Sequence, residues 1–295
     1  MALRTKMTGL WAGIGATLAA TTAFAQTEGM REGLDIIGAP QPGGIAFQPA
    51  VTGVAQDIHA LDNLLLVVIT AIVLFVVVLL AWTAIRHNAK ANPTPATFTH
   101  NTPIEITWTI VPLLILVVVG AFSLPVLFRQ QTIPVADVLI KATGYQWYWG
   151  YEYPEEGVEY LSFMLDEDQL EEYGYGRDEY LLATDTAVVV PTGQNIVVQV
   201  TAADVIHSWA MPAFGVKQDG VPGRLAELWF NVDAGMEGVY FGQCSELCGV
   251  SHAYMPITVF AVTPEEYAAW LAGEAQEFAS IGTRAPQVLE LASAD

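Results

Sequence analysis

The chain has 295 residues, 53% of them hydrophobic and only 14% charged, yet its formal net charge is −20. That length allows two structural units, and the negative field excludes nucleic acid as a partner while it favours basic ones. The acids are unevenly spread: Arg129 to Asp295 holds 25 Asp and Glu against 6 Lys and Arg, so an apolar half carries an acidic half.

The first element is an export signal over residues 1–25. Arg4 and Lys6 form its charged region, Leu10 to Thr22 is small and apolar, and Ala23-Phe24-Ala25 is a small-x-small cleavage pattern before Gln26. Residues 26–58 follow as an outer segment without periodicity, broken by Gly38-Ala39-Pro40-Gln41-Pro42-Gly43-Gly44. Residues 59–129 read as a transmembrane helical hairpin. Leu64 to Ile85 is apolar except for Thr70 and Thr83, and at about 1.5 Å per residue it spans roughly 33 Å, enough to cross a bilayer. Ile104 to Phe128 is the second run, and its Pro112 and Pro125 suit a membrane helix better than a soluble one. Arg86 and Lys90 in the link point to a cytoplasmic turn, with both termini on the outer side.

Beyond Gln130 the hydrophobic period changes to two. Val138 to Tyr153, Ala187 to Val190, Ile196 to Thr201, Leu225 to Val232, Val239 to Gly242 and Ile257 to Val262 are short β-branched and aromatic runs, which predict an antiparallel sandwich or barrel over 130–281. Asp166 to Glu172 reads as a solvated, partly disordered insertion. Thr263-Pro264-Glu265-Glu266 is a capping box opening a helix with Tyr267, Trp270 and Leu271 on one face. Residues 282–295 form a tail.

The chemistry lies between Cys244 and Met255, which hold both cysteines, His252 and Met255. Soft sulfur with imidazole selects copper, zinc or iron–sulfur. A disulfide between Cys244 and Cys248 leaves His252 and Met255 without a role, and structural zinc takes four ligands, with Cys-x3-Cys a poor fit. Of five histidines, only His207 and His252 lie in the outer domain. Two Cys, two His and a Met are too many for one blue copper and about right for two coppers sharing both thiolates. Met211, four residues after His207, is a rival thioether.

Cys-Ser-Glu-Leu-Cys-Gly-x-x-His-x-x-Met at 244–255, with Asp204-Val205-Ile206-His207-Ser208-Trp209, resembles subunit II of the haem–copper cytochrome c oxidases. Gly144-Tyr145-Gln146-Trp147-Tyr148-Trp149, Lys217-Gln218-Asp219, Val221-Pro222-Gly223-Arg224 and Thr107-Trp108-Thr109-Ile110-Val111-Pro112 extend the likeness, nearest to the α-proteobacterial and mitochondrial branch. The resemblance implies an all-β cupredoxin-like, Greek-key domain on a two-helix hairpin in the bacterial inner membrane, with both termini and the domain periplasmic. It implies a dinuclear CuA centre of two copper ions held by His207, Cys244, Cys248, His252, Met255 and the carbonyl of Glu246. It also implies a magnesium ion, shared with subunit I, on the Glu246 side chain. The implied activity is electron transfer from cytochrome c to haem in subunit I, which reduces oxygen and, with subunit III alongside, translocates protons. Trp147 would accept the electron, Glu152, Asp185 and Asp204 would dock cytochrome c, and Glu105 would stand at the mouth of a proton path. As read from the sequence, Trp147 and Trp149 share one face of a strand and Tyr148 takes the other. The rivals are a membrane-tethered copper chaperone, a copper-free quinol oxidase subunit and a zinc-stapled binding module. A chaperone needs alternating strands and helices, and the copper-free subunit lacks the ligands present here.

Overall fold

The computed structural model describes residues 30, 31 and 33–281, with backbone alone for 274–281. The expected leader at 1–25 and tail at 282–295 lie outside the described residues. The chain divides into two compact units, Gln56–Thr132 and the remainder, Met1–Ala55 with Ile133–Asp295.

The helical unit holds α1, Gly53–Arg86, from Gln56 onward, and α2, Thr102–Gln131. Both are long and apolar enough to cross a membrane. At 34 residues α1 is longer than its apolar run. Its extra turns come at the N-terminal end, where Thr52 Oγ1 accepts the Ala55 N–H at 3.0 Å. At the other end the Arg86 guanidinium lies 5.3 Å from the Trp82 ring centroid, a cation–π contact at a helix end. The Asn101 side chain accepts the Ile104 N–H, and Glu105 Oε1 accepts the Asn101 N–H at 3.0 Å, so α2 opens on a reciprocal cap. Arg129 Nε meets Asp57 Oδ2 at 2.7 Å, tying the last turn of α2 to the first turns of α1 as an antiparallel pair requires.

The other unit is built from two sheets. Their strands are β1 Ile36–Gly38, β2 Val138–Tyr145, β3 Tyr148–Tyr153, β4 Val158–Ser162, β5 Val188–Pro191, β6 Ile196–Ala202, β7 His207–Met211, β8 Val216–Gly220, β9 Ala226–Phe230, β10 Gly238–Cys244 and β11 Pro256–Val262. One sheet has the strand order β5-β11-β10-β7-β8, with β1 added on β10; the other has the order β4-β3-β2-β6-β9. The expected all-β sandwich is present, but it is mixed rather than antiparallel. β2 runs parallel to β6, β11 to β5 and β1 to β10. Period-two patterning reports which face is buried and says nothing of strand direction.

Four local expectations are corrected. The run Val138 to Tyr153 is a hairpin, not one strand, and Gln146-Trp147 is its turn. Trp147 therefore stands half-buried outside the strand while Trp149 is wholly buried, so strand alternation does not relate them. The segment before α1 contains β1, which escapes detection because three residues are too few to show a period. The acidic insertion is a packed lobe. Leu165, Leu170 and Tyr175 enter the core while its acids face outward, and Arg177 pairs with Glu167. Three apolar anchors suffice to order a chain of consecutive turns. The capping box stands as expected, with Glu266 Oε2 accepting the Thr263 N–H at 2.9 Å, and it opens α3, Pro264–Ile281, on buried Tyr267 and Trp270.

Aromatic rings fill the space between the sheets. Phe230 is fully buried, lies parallel to Trp209 at 6.3 Å and meets Phe214 at 4.6 Å between centroids. Such contacts add to plain burial. Phe230→Ala is expected to lower the stability of this unit by about 3–5 kcal/mol, read by chemical denaturation of the detergent-solubilised chain; a loss below about 1 kcal/mol would mean that the core has collapsed around the gap.

Candidate metal centre

Two chain segments make the site, and strand pairing joins them. β10 ends at Cys244 and pairs antiparallel with the start of β7, Cys244 standing opposite Trp209. The next N–H, that of Ser245, donates to the Ser208 carbonyl at 2.9 Å. This register places His207 beside Cys244. The loop 245–255 then turns back, through a short 3-10 turn at His252–Tyr254, and enters β11 at Pro256.

The donors gather around two sulfurs. Cys244 Sγ lies 3.8 Å from Cys248 Sγ, and both thiols are free and buried. Around Cys244 are His207 Nδ1 at 3.9 Å and the Glu246 carbonyl at 3.3 Å. Around Cys248 are His252 Nδ1 at 3.5 Å and Met255 Sδ at 3.4 Å. His207, Cys244 and Cys248 alone already form a tight group of metal-type ligand atoms. Met211, the rival thioether, is fully buried in the core, with its methyl against Gly242. Six donors exceed what one tetrahedral zinc takes, and their softness suits copper. The residues present fit a copper site.

The charge balance agrees. Burial alone would raise both thiols, but at Cys244 the hydrogen bond with His207, together with hydrogen bonds to the backbone, overrides it and brings the group down to about 7. Burial and the neighbouring Cys244 push Cys248 up to about 12. Two thiolates this close repel, so both lose their protons only when cations lie between them. Burial works against the charged form of His207 too, yet Cys244 and Asp204 raise its pKa above the usual imidazole range.

The surrounding residues hold the ligands in place. His207 Nε2 is 2.9 Å from Asp204 Oδ1, which leaves Nδ1 directed at the sulfur. This is the carboxylate–histidine pairing that orients metal ligands. Trp149 Nε1 donates to the Met255 carbonyl at 3.3 Å, and its ring lies 6.0 Å from that of His207. Trp147 Nε1 donates to the Cys248 carbonyl at 3.3 Å. Gly144 on β2 passes so close that a Cβ there would lie 2.8 Å from His207 ring carbons. Apart from the Asp204–His207 pair, which is three residues apart, these supporting contacts join segments far apart in sequence and were not legible beforehand.

The other candidate residues fall at separate places. Glu152 on β3 binds Lys141 on β2 at 2.6 Å, so its charge is partly answered within the sheet. Asp185 accepts the Phe163 N–H at 2.8 Å, and burial raises its pKa. Asp204 is the docking candidate that reaches the gathered donors, through His207. The Glu246 side chain is exposed while its carbonyl faces Cys244. Glu105 belongs to the helical unit, where it caps α2.

Comparison with known proteins covers both units. The family described as cytochrome C oxidase subunit II, periplasmic domain, matches residues 138–262, and its transmembrane domain matches residues 40–126. A cytochrome c oxidase subunit 2 of Cereibacter sphaeroides is 58% identical over 281 residues, covering 90% of this chain and 91% of that protein. A probable cytochrome c oxidase subunit 2 of Rickettsia felis is 43% identical over 236 residues, covering 80% of this chain and 73% of that protein. The crystal structure of the periplasmic domain of subunit II of the Bradyrhizobium japonicum cytochrome oxidase is 47% identical, with TM-score 0.44, covering 50% of this chain and 99% of that one.

Gly144→Ala places its methyl group against the His207 ring. Copper affinity, measured against a competing chelator, is expected to fall about tenfold or more with the β-sheet circular dichroism unchanged. Unaltered affinity would mean that β2 yields and the close approach does not hold His207.

Proposed function

Since this chain belongs to the family of cytochrome c oxidase subunit II, with two membrane spans and a cupredoxin-like domain, we propose that it is the subunit through which electrons from cytochrome c enter the oxidase. The observation that carries this is the convergence of His207, Cys244, Cys248, His252, Met255 and the Glu246 carbonyl around two buried sulfurs. These residues would hold two copper ions, which when bound supply a one-electron carrier whose charge spreads over both metals.

The chain's own residues prepare that place. Burial of the two sulfurs, at 6% and 3% residue exposure, keeps water from the thiolates. Asp204 holds His207 in one tautomer and one orientation. Trp147 lies on the Cys248 peptide with one side open, so an electron arriving at its ring meets the ligand loop without crossing solvent. In this reading a basic cytochrome c docks on the acid-rich surface, with Glu152, Asp185 and Asp204 contributing. The electron continues to haem in subunit I, where oxygen is reduced and protons are translocated with subunit III present. The Glu246 carboxylate, exposed and hard, suits a magnesium ion at the subunit I boundary while its carbonyl serves copper. Glu105 would stand at the cytoplasmic mouth of a proton path. The outer domain and both termini are assigned to the periplasm on the strength of Arg86 and Lys90 in the inner link.

Loading the detergent-solubilised full chain with copper is expected to give two coppers per chain and a mixed-valence paramagnetic spectrum, both lost in Cys244→Ser. One copper, or a preference for zinc, would overturn the reading. Turnover of the assembled oxidase with soluble cytochrome c should weaken as salt rises, because an acidic face steers a basic donor. Salt-independent turnover would remove the docking role of the acids.

A further inference from the structure

Gln146 takes no part in the roles assigned above, yet it touches both halves of the ligand set. Its backbone N–H donates to Asp204 Oδ2 at 2.7 Å, and the other oxygen of that carboxylate lies 2.9 Å from His207 Nε2. Its side-chain amide donates to the Cys248 carbonyl at 2.8 Å. A single residue in the β2–β3 turn therefore links the His207 strand, through Asp204, to the loop that carries Cys248, His252 and Met255. Trp147 Nε1 shares the same Cys248 carbonyl.

The backbone is shaped to admit this link. Gly249 has φ +128°, a conformation that side chains rarely adopt. A Cβ on Gly249 would lie 3.0 Å from both Gln146 Nε2 and the Trp147 ring. Glycine at 249 thus lets the turn lie directly on the Cys248–Gly249 peptide. The loop needs such support because it lies outside the ladder. Between the Ser245 N–H bond to Ser208 and the start of β11 at Pro256, its backbone pairs with itself only locally, His252 N–H to the Gly249 carbonyl and Tyr254 N–H to the Ser251 carbonyl.

We propose that Gln146 is a positioning residue, a strut that fixes the distance between the His207 side and the Cys248 side of the ligand set before any metal arrives. The proposal rests on the copper reading above. Its value lies in preorganisation: donors already held in register lose less freedom when they bind. Removing a supporting bond of this kind weakens metal binding by about 10- to 100-fold. Gln146 touches no reacting atom and is not a catalytic residue.

The test compares the full chain with Gln146→Leu in detergent, using two measurements. In the metal-free chains, amide hydrogen exchange over residues 245–255 should be faster in the variant while exchange in β2, β6 and β10 is unchanged. After copper loading, a copper(I) chelator should strip the variant at roughly a tenth of the concentration needed for the parent, and the hyperfine pattern of the mixed-valence spectrum should change. Equal exchange and equal chelator resistance would overturn the strut. If the leucine variant does not accumulate, Gln146→Glu, which keeps the shape and removes the amide donor, is read in the same way. The two readings fail separately: fewer than two coppers in the parent chain defeats the copper assignment, whereas two coppers in the parent with an unaltered variant defeats only the strut.

Discussion

The site depends on the antiparallel pairing of β7 with β10. Cys244 opposite Trp209, closed by the Ser245 N–H on the Ser208 carbonyl, is what sets His207 next to a cysteine 37 residues away. A slip of one residue would turn every side chain of β7 to the other face and remove His207 from the sulfurs. The register is held by the packing behind it. Trp209 is buried in parallel contact with Phe230, and Trp149 packs on His207 and bonds to the Met255 backbone. The aromatic core therefore bears on the site, because it fixes the spacing of donors that no covalent bond connects.

Electrostatics acts on this geometry at two ranges. At short range, buried sulfurs 3.8 Å apart share a site that tolerates one negative charge easily and two only in the presence of cations. The carboxylate of Asp204 bonds one ring nitrogen of His207, and the other ring nitrogen faces Cys244. At long range, the acidic surplus makes a field for basic partners. The structure divides that surplus by environment. Glu152 is answered by Lys141, Asp185 is drawn into backbone bonds, and Asp204 reaches His207. The acids of the lobe between β4 and β5 stay outward because Leu165, Leu170 and Tyr175 occupy its inner side.

The helical unit obeys a different physics. In hydrocarbon every backbone group must be satisfied within the helix, so α1 and α2 are continuous, and the apolar side chains that stay exposed in the isolated chain are the ones lipid or partner helices would cover. Pro112 and Pro125 remain inside α2 without ending it. Asn101 with Glu105 and Arg129 with Asp57 make their bonds at the helix ends, while Thr109 and Ser123 return their hydroxyls to carbonyls of α2 itself.

How much could be read beforehand follows from the range of each interaction. Hydropathy and period are local, so the two spans, the β character of the outer domain and the capping box at Thr263 were legible in the residues alone. The cluster of soft donors was legible too, because Cys244, Cys248, His252 and Met255 lie within twelve consecutive residues. Strand direction, the hairpin turn at Gln146-Trp147 and the short strand at Ile36 were not, since pairing partners are set by contacts between distant segments. The choice of Met255 over Met211, and Gly144 yielding room to the His207 ring, were decided only when β2, β7 and β10 came together. A donor set can be written in a short stretch of chain, but the distances that make it a site belong to the packing of the whole domain.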